Sequence, residues 1–238
     1  QPQTPGVMSG SDYVLFSPTK LEDERLYSVR SWPEAALEMD VSPWRREVEL
    51  RLPGGSNPQT TSFARELRAR SGSDAAFVEA VLARFTEEPY AYSLNPPLLP
   101  GDNPMDSFLF DTRTGFCEHY AAAFVIMMRA AGVPARVVAG YQGGEVNPVN
   151  RTVIVHQFDA HAWAEVWLEG QGWVRVDPTA AVSPDRIEWG LERALAGEGS
   201  FLTDSPMSLL HFRGVAWVNS IRLRFDALTY RWQSWIVG

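Results

Sequence analysis

A chain of 238 residues can bury one sizeable core, with a small lobe appended to it. Its 45% apolar and 21% charged residues are ordinary for a soluble globular domain, and no run of 18 apolar residues exists to span a membrane. A formal net charge of −8 argues against a nucleic-acid partner, and a single cysteine excludes an intramolecular disulfide and any multi-cysteine zinc site. No basic-then-apolar leader opens the chain, which fits a piece cut from a longer protein. The charge is uneven: residues 86–182 hold 11 acidic against 5 basic side chains, whereas residues 209–238 hold four arginines against Asp226 alone.

Residues 1–20 are rich in Pro, Gly, Ser and Thr and read as an irregular lead-in. The alternation across residues 25–30 predicts a strand, paired with a second at 48–52. Ser62 and Ser73 are candidate N-caps of two successive helices. Phe77, Val78, Val81, Leu82 and Phe85 form the apolar stripe of the second. Four prolines over Tyr90 to Pro104 predict irregular chain. A helix follows from Cys117, burying Tyr120, Phe124, Met127, Met128 and Ala131 and stopping at Gly132 with Pro134 beyond. Strands are expected at 135–141, 152–157, 160–168 and 173–177, then a helix opened by Ser183-Pro184-Asp185. In the basic tail, Val218, Ile221, Phe225, Leu228, Trp232 and Trp235 predict an amphipathic helix over about 214–236, suited either to a membrane surface or to packing on the domain.

Cys117 lies in Gly115-Phe116-Cys117-Glu118-His119-Tyr120, at the start of its helix. A helix N-terminus, with unpaired N–H groups and the positive end of the dipole, stabilises the nucleophilic thiolate. Two phrases follow: His161-Ala162-Trp163 on one strand and Gly172-Trp173-Val174-Arg175-Val176-Asp177-Pro178-Thr179 on the next. A lone cysteine is more often a small buried hydrophobe. The order of the three phrases argues instead for a cysteine acyl-transfer triad of Cys117, His161 and Asp177. His156 competes for the role of base, His119 points to another face of the helix, and His211 reads as a packing or surface residue. Trp163, Trp167 and Trp173 are candidates to shield a cleft, with core packing as the default. Glu118 is a favourable first-turn acid.

Together the phrases resemble the core of the transglutaminase-like superfamily, with Gly-x-Cys, His-Ala-Trp and Gly-Trp…Asp-Pro-Thr in that order over roughly residues 91–187. Within it they resemble the periplasmic cores of bacterial inner-membrane protein-glutamine gamma-glutamyltransferases of the Pseudomonas type. The resemblance implies an α+β, papain-like fold, with the Cys117 helix packed on an antiparallel sheet bearing His161 and Asp177. It implies a division into an N-terminal extension (1–85), a catalytic core (86–200) and a juxtamembrane segment (201–238). It also implies a periplasmic location, with membrane attachment through segments outside this piece. The expected substrates are a protein or peptide glutamine and a lysine-like amine, including cell-envelope or peptidoglycan-linked partners. The same triad serves peptidases, amidases and glutamine deamidases, and a non-catalytic module is the remaining alternative. No cofactor is expected, nor a metal, since no Asp-x-Asp-x-Asx-Gly loop is present. The Cys117 N–H is the first expected oxyanion donor; by resemblance an upstream aromatic is the second, with Tyr90 and Tyr92 as candidates.

Alternation places His161 and Asp177 on one sheet face only if the loop between their strands has odd length. A loop of Glu169-Gly170-Gln171 pairs Leu168 with Gly172 and makes the two residues diagonal neighbours.

Overall fold

The computed structural model describes residues 1–10, 14–22, 25–184, 223, 224, 226–228 and 231. The chain divides into two compact units: Gln1–Ala35 with Val146–Ile154 and Leu202–Gly238, and Ala36–Glu145 with Val155–Phe201. Among the described residues, no helix is long and apolar enough to cross a membrane.

The smaller unit pairs β1 (Met8–Ser9) with β2 (Leu15–Phe16). Its buried Asn147 donates 2.7 Å to the carbonyl of Leu223 and accepts 2.9 Å from the N–H of Val149. The described residues near 223–231 are helical. Most of the tail helix expected from 214 to 236, and His211, lie outside the described residues. Residues 25–30 do not form the expected strand; Val29 makes only an isolated bridge to Pro2.

The larger unit begins with α1 (Pro43–Leu50), α2 (Pro58–Arg70) and α3 (Asp74–Glu87). Residues 48–52 therefore end a helix instead of forming a strand. Ser42 accepts from the Arg45 N–H at 3.2 Å, Pro43 opens the first turn, and Arg45 meets Glu49 one turn later at 3.6 Å. A cap, a pre-set φ and an i,i+4 ion pair outweigh the short alternation. Ser73 caps α3 as expected, accepting from the Ala76 N–H.

The proline-rich stretch is mostly irregular, but β3 (Ala91–Tyr92) pairs in parallel with β4 (Thr114–Gly115). Between them α4 (Pro104–Asp106) runs into a π-helical turn over Ser107–Thr112. Next comes α5 (Cys117–Ala130), closed by two bonds: Val133 N–H to Met128 O and Gly132 N–H to Arg129 O, at 2.9 and 3.1 Å. This termination needs a left-handed residue, and Gly132 supplies it with φ of +84°.

β5 (Ala135–Tyr141) follows, then the short strands β6 (Glu145–Val146) and β7 (Val153–Ile154) and a 3₁₀ turn at Gln157–Asp159. β8 (Ala160–Leu168), β9 (Gly172–Val176) and the short α6 (Thr179–Val182) complete the series. Chain beyond residue 184, where a helix was expected, lies outside the described residues apart from those named. The main sheet is antiparallel in the order β5-β8-β9. Tyr120, Phe124, Met127 and Met128 of α5 are fully buried in one core with Phe77, Val81 and Phe85 of α3, Phe108, and Ala164 and Val166 of β8. This is the expected α+β arrangement of the Cys117 helix against an antiparallel sheet.

Candidate active site

Gly115 begins the site. A Cβ there would sit 2.7 Å from the Cβ of His119 and 2.9 Å from the Phe108 ring, so only glycine lets β4 pass so close to the first turn of α5. Phe116 is extended at the N-cap, and Cys117 is the first helical residue. Its N–H therefore has no partner within the helix. His119 caps that end: its Nδ1 accepts from the Phe116 N–H at 3.4 Å, with its ring packed against Phe116 and Phe108. Burial lowers the pKa of His119 against the opposing charge of Glu118, which keeps Nδ1 available as an acceptor.

Cys117, 8% exposed, packs with Ala121 one turn on and with Ala162 of β8. These small side chains let the helix end approach the strand closely. β8 and β9 pair Leu168 with Gly172 and Ala164 with Val176, the register of a three-residue loop. Gly170 takes the left-handed conformation in that loop, at φ of +76°. His161 and Asp177 thus share a face, with Nε2 2.7 Å from Oδ2. Asp177 Oδ1 accepts from the Thr179 N–H at 3.2 Å, an Asx turn that opens α6 and fixes the carboxylate. The Asp-Pro-Thr phrase is the sequence of that turn.

The His161 side chain is wholly buried and that of Asp177 11% exposed. Nδ1 of His161 is buried and closes no hydrogen bond of ordinary geometry. Burial alone would lower the pKa of His161. The hydrogen bond to Asp177, the neighbouring Cys117 thiol and the charges of both outweigh it, and the pKa stands above the ordinary 6.5. Cys117 and His161 line an open cleft of 290 Å3, walled by Tyr92, Leu94, Phe116, Phe158 and Gly140, with Glu118 and Gln157 as polar members.

The cleft thus brings together a buried imidazole bonded to a carboxylate and a thiol at a helix start. The family model of the transglutaminase-like superfamily matches residues 61–178. The crystal structure of the periplasmic domain of TgpA from Pseudomonas aeruginosa superposes with a TM-score of 0.79 at 50% identity, covering 82% of this chain and 67% of that one. The chain belongs to the transglutaminase-like superfamily. A protein-glutamine gamma-glutamyltransferase of Pseudomonas aeruginosa is 51% identical over 96% of this chain, which spans 34% of that relative's length. The uncharacterised protein YebA of Bacillus subtilis is 34% identical over 55% of this chain, covering 18% of its own length.

Other candidates occupy different places in this transglutaminase-like domain. The Tyr90 hydroxyl donates to Leu109 O at 2.9 Å and accepts from Arg84 Nε at 3.1 Å, so its role is in the core. Tyr92 lines the cleft, paired across β3–β4 with Gly115. His156 stacks on Phe158 at 4.7 Å, and its backbone N–H caps the 3₁₀ turn through Asp159. Trp167 and Trp173 donate to Glu38, at its carbonyl and its carboxylate, 2.9 and 2.6 Å away. They hold the chain that precedes α1; they do not shield the cleft. Only Trp163 stands beside His161, ring centres 6.2 Å apart. Phe158 and Gly140 were not anticipated as cleft residues. A glycine inside the β5 pattern was the available signal, and the Trp163 ring would meet a Cβ there at 2.7 Å.

Proposed function

We propose that this domain catalyses cysteine-dependent acyl transfer from a glutamine carboxamide to an amine, using Cys117, His161 and Asp177. One observation carries this function: the only cysteine of the chain opens onto the same cleft as a buried imidazole that is hydrogen-bonded to a carboxylate. The name of the 51% identical Pseudomonas relative supports glutamine as the acyl donor. The periplasmic origin of the matching TgpA domain supports the same location for this one.

Cys117 Sγ, as thiolate, attacks the carboxamide carbon, and the carbonyl electrons move to oxygen. The Cys117 N–H donates to this oxyanion, and Tyr92, which lines the cleft, is the candidate second donor. His161 imidazolium gives its proton to the departing nitrogen, ammonia leaves, and a thioester remains on sulfur. Asp177 orients the ring through Nε2, leaving Nδ1 for this proton. An amine then attacks the thioester carbon and yields its proton to His161. Collapse of the second tetrahedral adduct forms the amide and returns the thiolate. Glu118, exposed in the cleft and making no ion pair with a described residue, favours an acceptor that arrives as a cation.

Incubation with a glutamine-bearing peptide and a labelled alkyl diamine tests the proposal. Label on the peptide together with released ammonia is expected. Ammonia without label would assign the site to hydrolysis, and neither product would remove the enzymatic reading.

A further inference from the structure

The sheet face that carries His161 and Asp177 also carries Arg175, whose polar contacts run toward that pair. In register Arg175 lies opposite Glu165, the carboxylate a cross-strand cation would normally join. Glu165 is already held by Arg136 from the other side, through Nε at 2.8 Å and Nη2 at 2.7 Å. Arg175 turns the opposite way. Its guanidinium carbon lies 4.3 Å from the centre of the Trp163 ring, and its Nη2 donates to Gln142 Oε1 at 2.9 Å. The same Nη2 is 3.6 Å from Asp177 Oδ2, the oxygen bonded to His161. Trp163 is inclined only 24° to the His161 ring and is pinned over Gly140. Arg175 is thus held by Trp163 of β8 and Gln142 just past β5, beside a carboxylate already engaged by an imidazole.

The geometry points to Arg175 as a positioning residue that shares Asp177 with His161 and sets the pH at which His161 releases its proton. This rests on His161 being the base of the proposed reaction. A cation near Oδ2 offsets part of the carboxylate field felt by the imidazolium, so it lowers the pH up to which that ion persists. The contact is longer than a hydrogen bond and the Arg175 side chain is 50% exposed, so the effect adjusts the pair without neutralising Asp177. Among the described residues, the charged and titratable groups around His161 are few. Cys117 and Glu118 come from α5, Tyr92 from β3, Arg175 from β9 and Asp177 from just past its end, while His156 and Asp159 pair with each other at the turn before β8. β5 contributes Ala139 and Gly140, which carry none. Arg175 is the permanent cation of this set.

The test is the pH titration of the histidine imidazole signals by NMR, with His161 assigned from the His161→Asn spectrum. Arg175→Gln is expected to raise the His161 midpoint by about half a pH unit or more, leaving the other histidines unmoved. Arg175→Lys, keeping the charge, stays closer to the wild type. Should Arg175→Gln not fold, Gln142→Ala frees the guanidinium while leaving Asp177 and His161 intact, and a smaller rise is expected. A midpoint that stays put or falls in the folded variant overturns the inference, because a merely structural loss would not raise it. The readout requires no turnover. An unmoved midpoint leaves acyl transfer standing, and a failed amine-transfer assay leaves the Arg175 result readable.

Discussion

Nε2 of His161 and Oδ2 of Asp177 lie 2.7 Å apart because three residues, not two, join the strands that carry them. Pairing of Leu168 with Gly172 leaves Glu169, Gly170 and Gln171 in the loop. A two-residue loop would move the pairing by one and send Asp177 to the opposite face. Deleting Gln171 should therefore abolish acyl transfer, and replacing it by glycine should not. An active deletion variant would show that the two side chains do not need this register.

Cys117→Ala should reduce turnover to background while moving the thermal midpoint by no more than a few degrees. The thiol is a small part of a tight alanine cluster, and its removal leaves only a small space. Turnover within tenfold of wild type would exclude Cys117 as the nucleophile.

His161 carries a pH signature in stability. Burial alone would lower its folded pKa, but the hydrogen bond to Asp177, the neighbouring Cys117 thiol and the charges of both raise it above 6.5. Over the window above 6.5, the folded state therefore binds more protons than the unfolded one at this site. The stability it contributes is complete below about pH 6.5 and is lost as pH rises through the folded value. Urea unfolding of wild type and His161→Gln between pH 5 and 9 measures this. The gap between them should narrow with rising pH; a gap that widens would reverse the sign.

Gly115→Ala should destabilise the domain by about 1–3 kcal/mol, since the new methyl group meets a Cβ and a ring in the first turn of α5 and its support. The displaced cap carries Cys117 with it, so kcat should fall further than the folded fraction does. Wild-type stability and kcat together would show that the close approach is dispensable.

Glu118→Gln should raise KM for a cationic diamine several-fold at low salt and leave ammonia release without added amine near wild type. Equal KM values would remove Glu118 from acceptor recognition.

The local elements were legible where one strong signal stood alone. Ser73 as a cap, Gly132 with Pro134 as a stop, and the 3.6-residue stripe of α5 each depend on bonds within a few residues. The strand expected at 48–52 failed for the same reason. The signal from Ser42 and Pro43 lay just upstream, and a short alternation cannot compete with a satisfied helix cap. Among the histidines, sequence order alone favoured His161, and the structure gives the other two described ones different tasks: His119 caps a helix, and His156 stacks on Phe158.

The sequence by itself determined the helix that begins at Cys117, the alternation of β8 and β9, and the odd loop on which His161 and Asp177 depend. Those are properties of neighbours along the chain. Only the tertiary structure decided which tryptophan stands beside His161, which tyrosine reaches the cleft, and where Arg175 turns. Such choices follow from competition among distant groups: Glu38 takes Trp167 and Trp173, Leu109 and Arg84 take Tyr90, and Arg136 takes Glu165. A side chain already satisfied elsewhere is unavailable to the site, and no local pattern records which partner arrives first.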